Sequence, residues 1–277
     1  VTGSVADGLP LAASDLDLVA VLRNGVSERE REAVRAIAHE VADEVGVDLD
    51  LDLVEVAALA GGVDPQLKRG SILVHGEDLV AAAPLLPIEE WARQRMHAGY
   101  YLMVSVFGRP PAVRQPLDYP VADDPFFGYA LRDVRLPDGR QVPSTRNLVR
   151  VSSWMATALL AWTRRRYVVR KSECHIVYRE EIGGEWSDFL ERVYECCRSR
   201  WQYLIPEGES DRVELRAIGA EMLRFERHYL AMYRDFVLGE LRAGGDRAEK
   251  ARWVLGQIPF GDEEILLALA VKGKADV

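Results

Sequence analysis

The sequence predicts an α+β protein in which an N-terminal mixed sheet with helices precedes a C-terminal helical bundle. Three observations predict it. Strand-like and helix-like patterns alternate over the first hundred residues; seven of the 13 prolines crowd between Pro110 and Pro143; and beyond Ser144 apolar residues recur at spacings of three and four. No long helix or central strand tolerates that proline density. Residues 110–144 therefore read as a connector between units at 1–109 and 145–277.

Residues 1–4 are β-like, and Leu16 to Leu22 is an apolar, valine-rich run of the kind a buried strand requires. Ser27 opens a helix: it can cap the first turn, and Glu28 and Glu30 stand where the helix dipole favours acids. Ala33, Val34, Ile37, Ala38 and Val41 supply an apolar stripe, and Gly46 stops the helix. A second strand runs from Val47 to Val56. Within it Asp48-Leu49-Asp50-Leu51-Asp52-Leu53 alternates, so three carboxylates share one face and three leucines the other. Ser71 to Val74 reads as a third strand and Ile88 to Phe107 as a helix. In the connector, Pro137-Asp138-Gly139 has the chemistry of a turn closing a small hairpin. Leu148, Val151, Met155, Leu159 and Trp162 mark one further helix, and Trp186, Phe189, Val193 and Trp201 another. Leu215, Ile218, Met222, Phe225, Tyr229, Met232 and Phe236 form the seam of a packed bundle.

With 277 residues, 48% hydrophobic and 29% charged, the composition is that of a soluble globular protein rather than a disordered one. The longest apolar run, Ile265 to Val271, is far short of a membrane span, and no basic-then-apolar leader opens the chain, so a cytoplasmic location is expected. Cys174, Cys196 and Cys197 lack C-x-x-C spacing and read as reduced, structural thiols. The formal charge of −9 sits at one end: residues 1–60 hold 13 acidic and 4 basic residues, the rest 31 of each. Such a region attracts metal cations or a cationic substrate and disfavours a nucleic-acid backbone. Within it the Glu28–Glu44 stretch reads as a solvated helix face. The Rossmann glycine pattern, the P-loop, H-E-x-x-H and G-x-S-x-G are absent, and His39, His75, His97, His175 and His228 have no ligand spacing.

Chemistry concentrates in Gly3-Ser4-Val5-Ala6-Asp7-Gly8, then Ser14-Asp15-Leu16-Asp17-Leu18, then the Asp48/Asp50/Asp52 strand. Asp15 and Asp17, two apart at the head of a strand, share a face and can bind a hard divalent cation together. Gly3 and Ser4 can expose backbone N–H groups and a hydroxyl to phosphate oxygens. These are the parts of metal-assisted phosphoryl chemistry.

The combination resembles the nucleotidyltransferase superfamily typified by DNA polymerase β. Its signature is Gly-Ser, a spacer, Asp-x-Asp on a strand and a third acid on a later strand. The run GSVADGLPLAASDLDL is most similar to aminoglycoside nucleotidyltransferases of the streptomycin/spectinomycin type. That resemblance implies Mg²⁺ held by Asp15, Asp17 and a third carboxylate, with ATP as nucleotidyl donor. Among Asp48, Asp50, Asp52 and Glu55 it favours Asp52, as base toward the acceptor hydroxyl, with Asp50 second; Glu55 points to the other face. Gly3, Ser4 and Ser14 would approach the phosphates. From the helical half, Lys171 matches the family's phosphate-binding lysine. The family's helix arginine falls near Trp154, with Arg150, one turn earlier, as its replacement; Arg164 to Arg166 read as solvated surface. The resemblance implies transfer of AMP to a hydroxyl of a small, cationic acceptor, an aminoglycoside antibiotic, with no membrane partner and the oligomeric state open. Two alternatives stand beside it: a toxin-type enzyme acting on tRNA or protein, and a non-catalytic nucleotide-binding regulator. The family also places a helix ahead of its Gly-Ser, a stretch that the 277 residues do not include.

Overall fold

The computed structural model of the chain describes residues 1–11, 14–110, 112–136 and 138–270. Helix α1 (Gly3–Ala6) is a single turn; strand β1 (Leu16–Leu22), helix α2 (Glu28–Val45) and strand β2 (Leu49–Glu55) follow. Of residues 1–4, expected to be β-like, Thr2 alone is sheet-bound, through an antiparallel bridge to Asp17; Gly3 turns the chain into α1. Ser27 caps α2 in a reciprocal box with Glu30, and Gly46 ends it in the left-handed conformation that lacks a Cβ penalty.

The α2 crossover makes β1 and β2 parallel, in register from Leu16 opposite Leu49 to Leu22 opposite Glu55. The packing stripe of α2 is rotated from the expected one. Arg31, Val34, Ala38 and Ala42 face inward, whereas Ile37 and Val41 are exposed. Glu55 pairs with Arg31 on the α2 side, as strand parity requires. Short helices α3 (Val56–Leu59), α4 (Pro65–Gly70) and α5 (Leu79–Ala82) complete this unit, whose small core joins Leu59, Val63 and Ala83 to Val21, Val54, Leu67, Leu79 and Val80. The strand expected at Ser71 to Val74 does not form. Ile72 exchanges backbone hydrogen bonds with Val1 (2.8 and 2.9 Å), and Ile72, Leu73 and Val74 stay exposed, with no further partner to propagate a ladder.

Helix α6 (Ile88–Val106) packs against α7 (Arg146–Arg164), and its Trp91, Met96, Tyr100 and Met103 are buried in one core with the helical half. Residues 110–144 carry a hairpin of β3 (Arg132–Arg135) and β4 (Gln141–Ser144); Asp138 and Gly139 lie in its turn, while Pro137 lies outside the described residues. Val113, Leu117, Phe126, Tyr129 and Val134 of this stretch are core residues. A buried network fixes it: Arg109 donates to Glu226 (2.5 Å) and Tyr129 (2.9 Å), and Tyr129 donates to Glu226.

Helices α8 (Cys174–Glu181) and α9 (Glu185–Val193), a π-helical turn at Tyr194–Arg200, α10 (Glu209–Ala243), α11 (Gly245–Gln257) and α12 (Glu263–Ala270) build the bundle. The seam expected on α10 is buried at Leu215, Ile218, Met222, Phe225, Tyr229 and Phe236, with Met232 half-buried. All three cysteines are free and buried. The apolar run from Ile265 lies in α12 as far as Ala270, Val271 being outside the described residues. No described helix is long and apolar enough to cross a membrane.

Candidate active site

A cleft of about 540 Å³ opens between the β1–β2 unit and the helical half. Strand parity builds its first wall. Asp17 stands in register with Asp50, and Val19 with Asp52, so all four point from one face of the sheet, the face that continues into the small core as Val21 and Val54. Asp15 stands just ahead of β1. Gly3 is folded against this face at φ +69°, so near Asp17 that a Cβ at position 3 would lie 2.9 Å from the Asp17 Cγ. Gly3, Ser4 and Ser14 line the same cleft, and the Ser14 Oγ accepts from the Leu11 N–H at 2.9 Å, closing the loop between the glycine turn and β1.

The second wall comes from helix ends. The Ser144 hydroxyl donates to the Arg132 carbonyl (2.7 Å) and the Thr145 N–H to the Tyr203 carbonyl (2.7 Å), which sets the start of α7 at the cleft. Arg146, Arg150 and Trp154 then recur every four residues on one face and line it. Lys171 and Ser172 enter from a single 3₁₀ turn, Tyr194 and Arg198 from the π-helical turn, and Arg95 from α6.

The walls are opposite in sign. The six carboxylates lining the cleft, Asp7, Asp15, Asp17, Asp50, Asp52 and Asp64, all belong to the β1–β2 unit, and its five cations, Arg95, Arg146, Arg150, Lys171 and Arg198, all to the helical half. Three acids are already paired: Asp7 with Arg170 (3.0 Å), Asp15 with Arg146, and Asp64 with Arg95, where it also accepts from the Trp91 indole at 2.9 Å. Burial raises the Asp17 carboxyl above its ordinary range; Lys171 opposes this, and the carboxylates of Asp15 and Asp50 add to it. Asp17 thus carries a charge that burial and two like neighbours disfavour, and a cation would stabilise it.

Hard carboxylate oxygens crowded in this way suit a divalent ion such as Mg²⁺. Among the described residues no three acidic, histidine or cysteine side chains converge as a ready-made ligand set, and Asp15 directs an oxygen at Arg146 instead.

Of the residues singled out from the sequence, Gly3, Ser4, Ser14, Asp15, Asp17, Asp52, Arg150 and Lys171 reach one cleft, with Asp50 among them and nearer in register to Asp17, whereas Asp48 does not line it. Arg164 to Arg166 are exposed, as a solvated surface requires. Sequence reasoning gave no site role to Arg146, Tyr194, Arg198 or Tyr203. For Arg146 a signal existed, a cation one turn before Arg150 at the head of a helix. Arg198 had none, because a π turn and the left-handed conformations of Gln202 (φ 48°) and Tyr203 (φ 70°) set this wall.

Residues 1–76 match the family model described as the nucleotidyltransferase domain, about a quarter of the chain. No curated protein and no solved structure matches the chain. Residues 1–76 thus carry a nucleotidyltransferase domain, which supports a nucleotidyltransferase activity.

Proposed function

We propose that the chain transfers a nucleoside monophosphate, AMP from ATP, to a hydroxyl of a small acceptor bound in this cleft. The observation that carries the reading is the division of charge, with carboxylates on the sheet wall and cations on the helical wall. A metal–triphosphate complex needs both: acids for the ions and cations for the phosphate oxygens. Asp15 and Asp17, with Asp52 or Asp50, would hold Mg²⁺, which when bound supplies Lewis-acid polarisation and neutralises the leaving pyrophosphate. The chain's own groups do the rest. Gly3 and Ser4 admit the phosphates close to the sheet, since a side chain at position 3 would fill that space. Lys171 and Arg150, which form no ion pair among the described residues, are available to phosphate oxygens. Asp52, or Asp50 beside it, accepts the proton of the acceptor hydroxyl.

The acceptor that the family resemblance implies is an aminoglycoside. Among the described residues the helical wall offers no carboxylate to an ammonium group, so such a molecule would enter along the Asp50–Asp52 side. The test supplies Mg²⁺ and ATP labelled in its α-phosphate with aminoglycosides, tRNA, protein or no acceptor. Label on an aminoglycoside supports the reading in full; label on RNA or protein moves the enzyme to the toxin type; nucleotide binding without turnover makes the chain a regulator. Asp15→Ala abolishes transfer, and activity surviving it overturns the metal assignment. Of Asp50→Asn and Asp52→Asn, the one that removes the base lowers kcat at least about a hundredfold.

A further inference from the structure

Arg146 is the first residue of α7, and its guanidinium Nη2 rests on the Asp15 Oδ2 with both side chains largely shielded, 15% and 25% exposed. It stands among like charges: Arg132 is pushed below its ordinary range by burial and by the nearby Arg146 and Arg150. An arginine crowded in this way is held by its carboxylate partner. Arg150, one turn on, lines the same cleft without an acid partner among the described residues. The cleft therefore has two arginines of equal charge and different engagement.

We propose that Arg146 is a positioning residue that occupies Asp15 until nucleotide arrives, competing with the divalent cation for that carboxylate and turning to the triphosphate when it is displaced. The proposal rests on the reading above, that the cleft takes a metal and a nucleotide together. Its physical content is a coupling. Without nucleotide, a cation reaching Asp15 must break a shielded ion pair and leave a guanidinium unpaired beside two other arginines, which opposes binding. With nucleotide present, the released guanidinium gains phosphate oxygens, a geometry that its planar fork suits. Metal and nucleotide then promote each other's binding beyond their direct contact, reciprocally.

The experiment titrates Mn²⁺ into the intact chain by calorimetry and by electron paramagnetic resonance, with and without a non-hydrolysable ATP analogue. It compares wild type, Arg146→Gln, Arg146→Lys and Arg150→Gln. Arg146→Gln should bind Mn²⁺ alone about tenfold more tightly than wild type, bind the analogue more weakly, and lose most of the mutual enhancement. Arg146→Lys, which keeps the charge, should fall between them. Arg150→Gln removes the same charge from the same cleft and should change Mn²⁺ affinity without nucleotide less than threefold, a bound set by the general field alone. Equal tightening by the two glutamine variants would reduce the effect to net charge and overturn the proposal, as would unchanged Mn²⁺ affinity in a folded Arg146→Gln. Thermal unfolding identifies a variant that has not folded, in which case Arg146→Lys against Arg150→Gln decides. Wild type binding neither Mn²⁺ nor the analogue would sink the nucleotidyl-transfer reading itself, a result distinct from binding that persists with unaltered coupling.

Discussion

Gly3→Ala separates the geometry of the cleft from its chemistry. Gly3 sits at φ +69°, where a side chain costs about 1–2 kcal/mol. The added Cβ would overlap the Asp17 Oδ2 and lie 2.9 Å from its Cγ, but 3.5 Å from its Cβ, an ordinary contact. Asp17 must therefore turn away, at about 1 kcal/mol for leaving its rotamer, giving about 2–3 kcal/mol in all. In an Asp17→Ala background the offending atoms are gone and only the backbone part remains. A double-mutant cycle by urea unfolding should therefore show a coupling of about 1 kcal/mol between the two positions. Activity should suffer more than stability, because Asp17 is removed from the place where a metal is to be held. A displacement of about 1 Å at a reacting group costs about a hundredfold in rate. Pyrophosphate release should fall accordingly, with the chain still folded. Equal costs in the two backgrounds, or an active Gly3→Ala, would refute the close approach of the glycine turn to Asp17.

Two further outcomes follow from the helical half. His97 is buried against Tyr233 and Phe236, and burial lowers its pKa to about 4 from an ordinary value of 6.5. The unfolded chain therefore binds a proton between pH 6.5 and 4 that the folded chain does not. Stability is lost as pH falls through that window, by up to about 3 kcal/mol at its acid end; His97→Asn should flatten that part of the profile, and a slope left unchanged would assign the loss to other groups. Glu226→Ala strands Arg109, whose side chain is 2% exposed, without its carboxylate and should cost about 3–5 kcal/mol in urea unfolding, whereas Glu226→Gln, which can still accept hydrogen bonds, should cost less. A loss below about 1 kcal/mol for the alanine variant would mean that the network does not hold the connector to α10.

What was legible in the sequence follows the range of the forces involved. The head of β1, the Ser27 cap of α2, the alternating aspartates and the α10 seam are short-range patterns, and each appears where its period or its capping chemistry puts it. The Ser71–Val74 stretch has the composition of a strand but not the neighbour that a strand requires, and no local pattern reports that. The stripe of α2 was misplaced for a related reason: Ile37 and Val41 satisfy helical spacing, yet the surface α2 meets is a narrow two-stranded sheet that the slimmer Ala38 and Ala42 fit. In the cleft, the sheet wall could be read because its residues are close in sequence, four of its carboxylates lying on or beside two strands. The helical wall is assembled from α6, α7, a 3₁₀ turn and a π turn up to about a hundred residues apart, so Lys171 and Arg150 were accessible through family resemblance, Arg146 stood in the same helix start without a role, and Arg198 left no local signal.

The seam between the two halves explains why charge rather than packing governs the cleft. Among the described residues up to 86, only Leu11 and Leu86 pack against the large core, and Leu59, Val63 and Ala83 form a small cluster of their own with Val21, Val54, Leu67, Leu79 and Val80. What crosses instead is a set of ion pairs, Asp7 to Arg170, Asp15 to Arg146, Asp64 to Arg95 and, at 3.9 Å, Asp43 to Arg135, every acid on the sheet side and every arginine on the helical side. An apolar seam would offer a charged ligand nothing to exchange. The more exposed of these pairs contribute little net stability, whereas the shielded Asp15–Arg146 pair yields only when its arginine gains phosphate oxygens. Two of the four involve acids at the glycine turn and the head of β1, where a metal and a triphosphate would be received. Arrival of those charges would therefore reassign the contacts that hold the halves together, and the same residues that recognise the nucleotide would set how tightly the cleft closes on it.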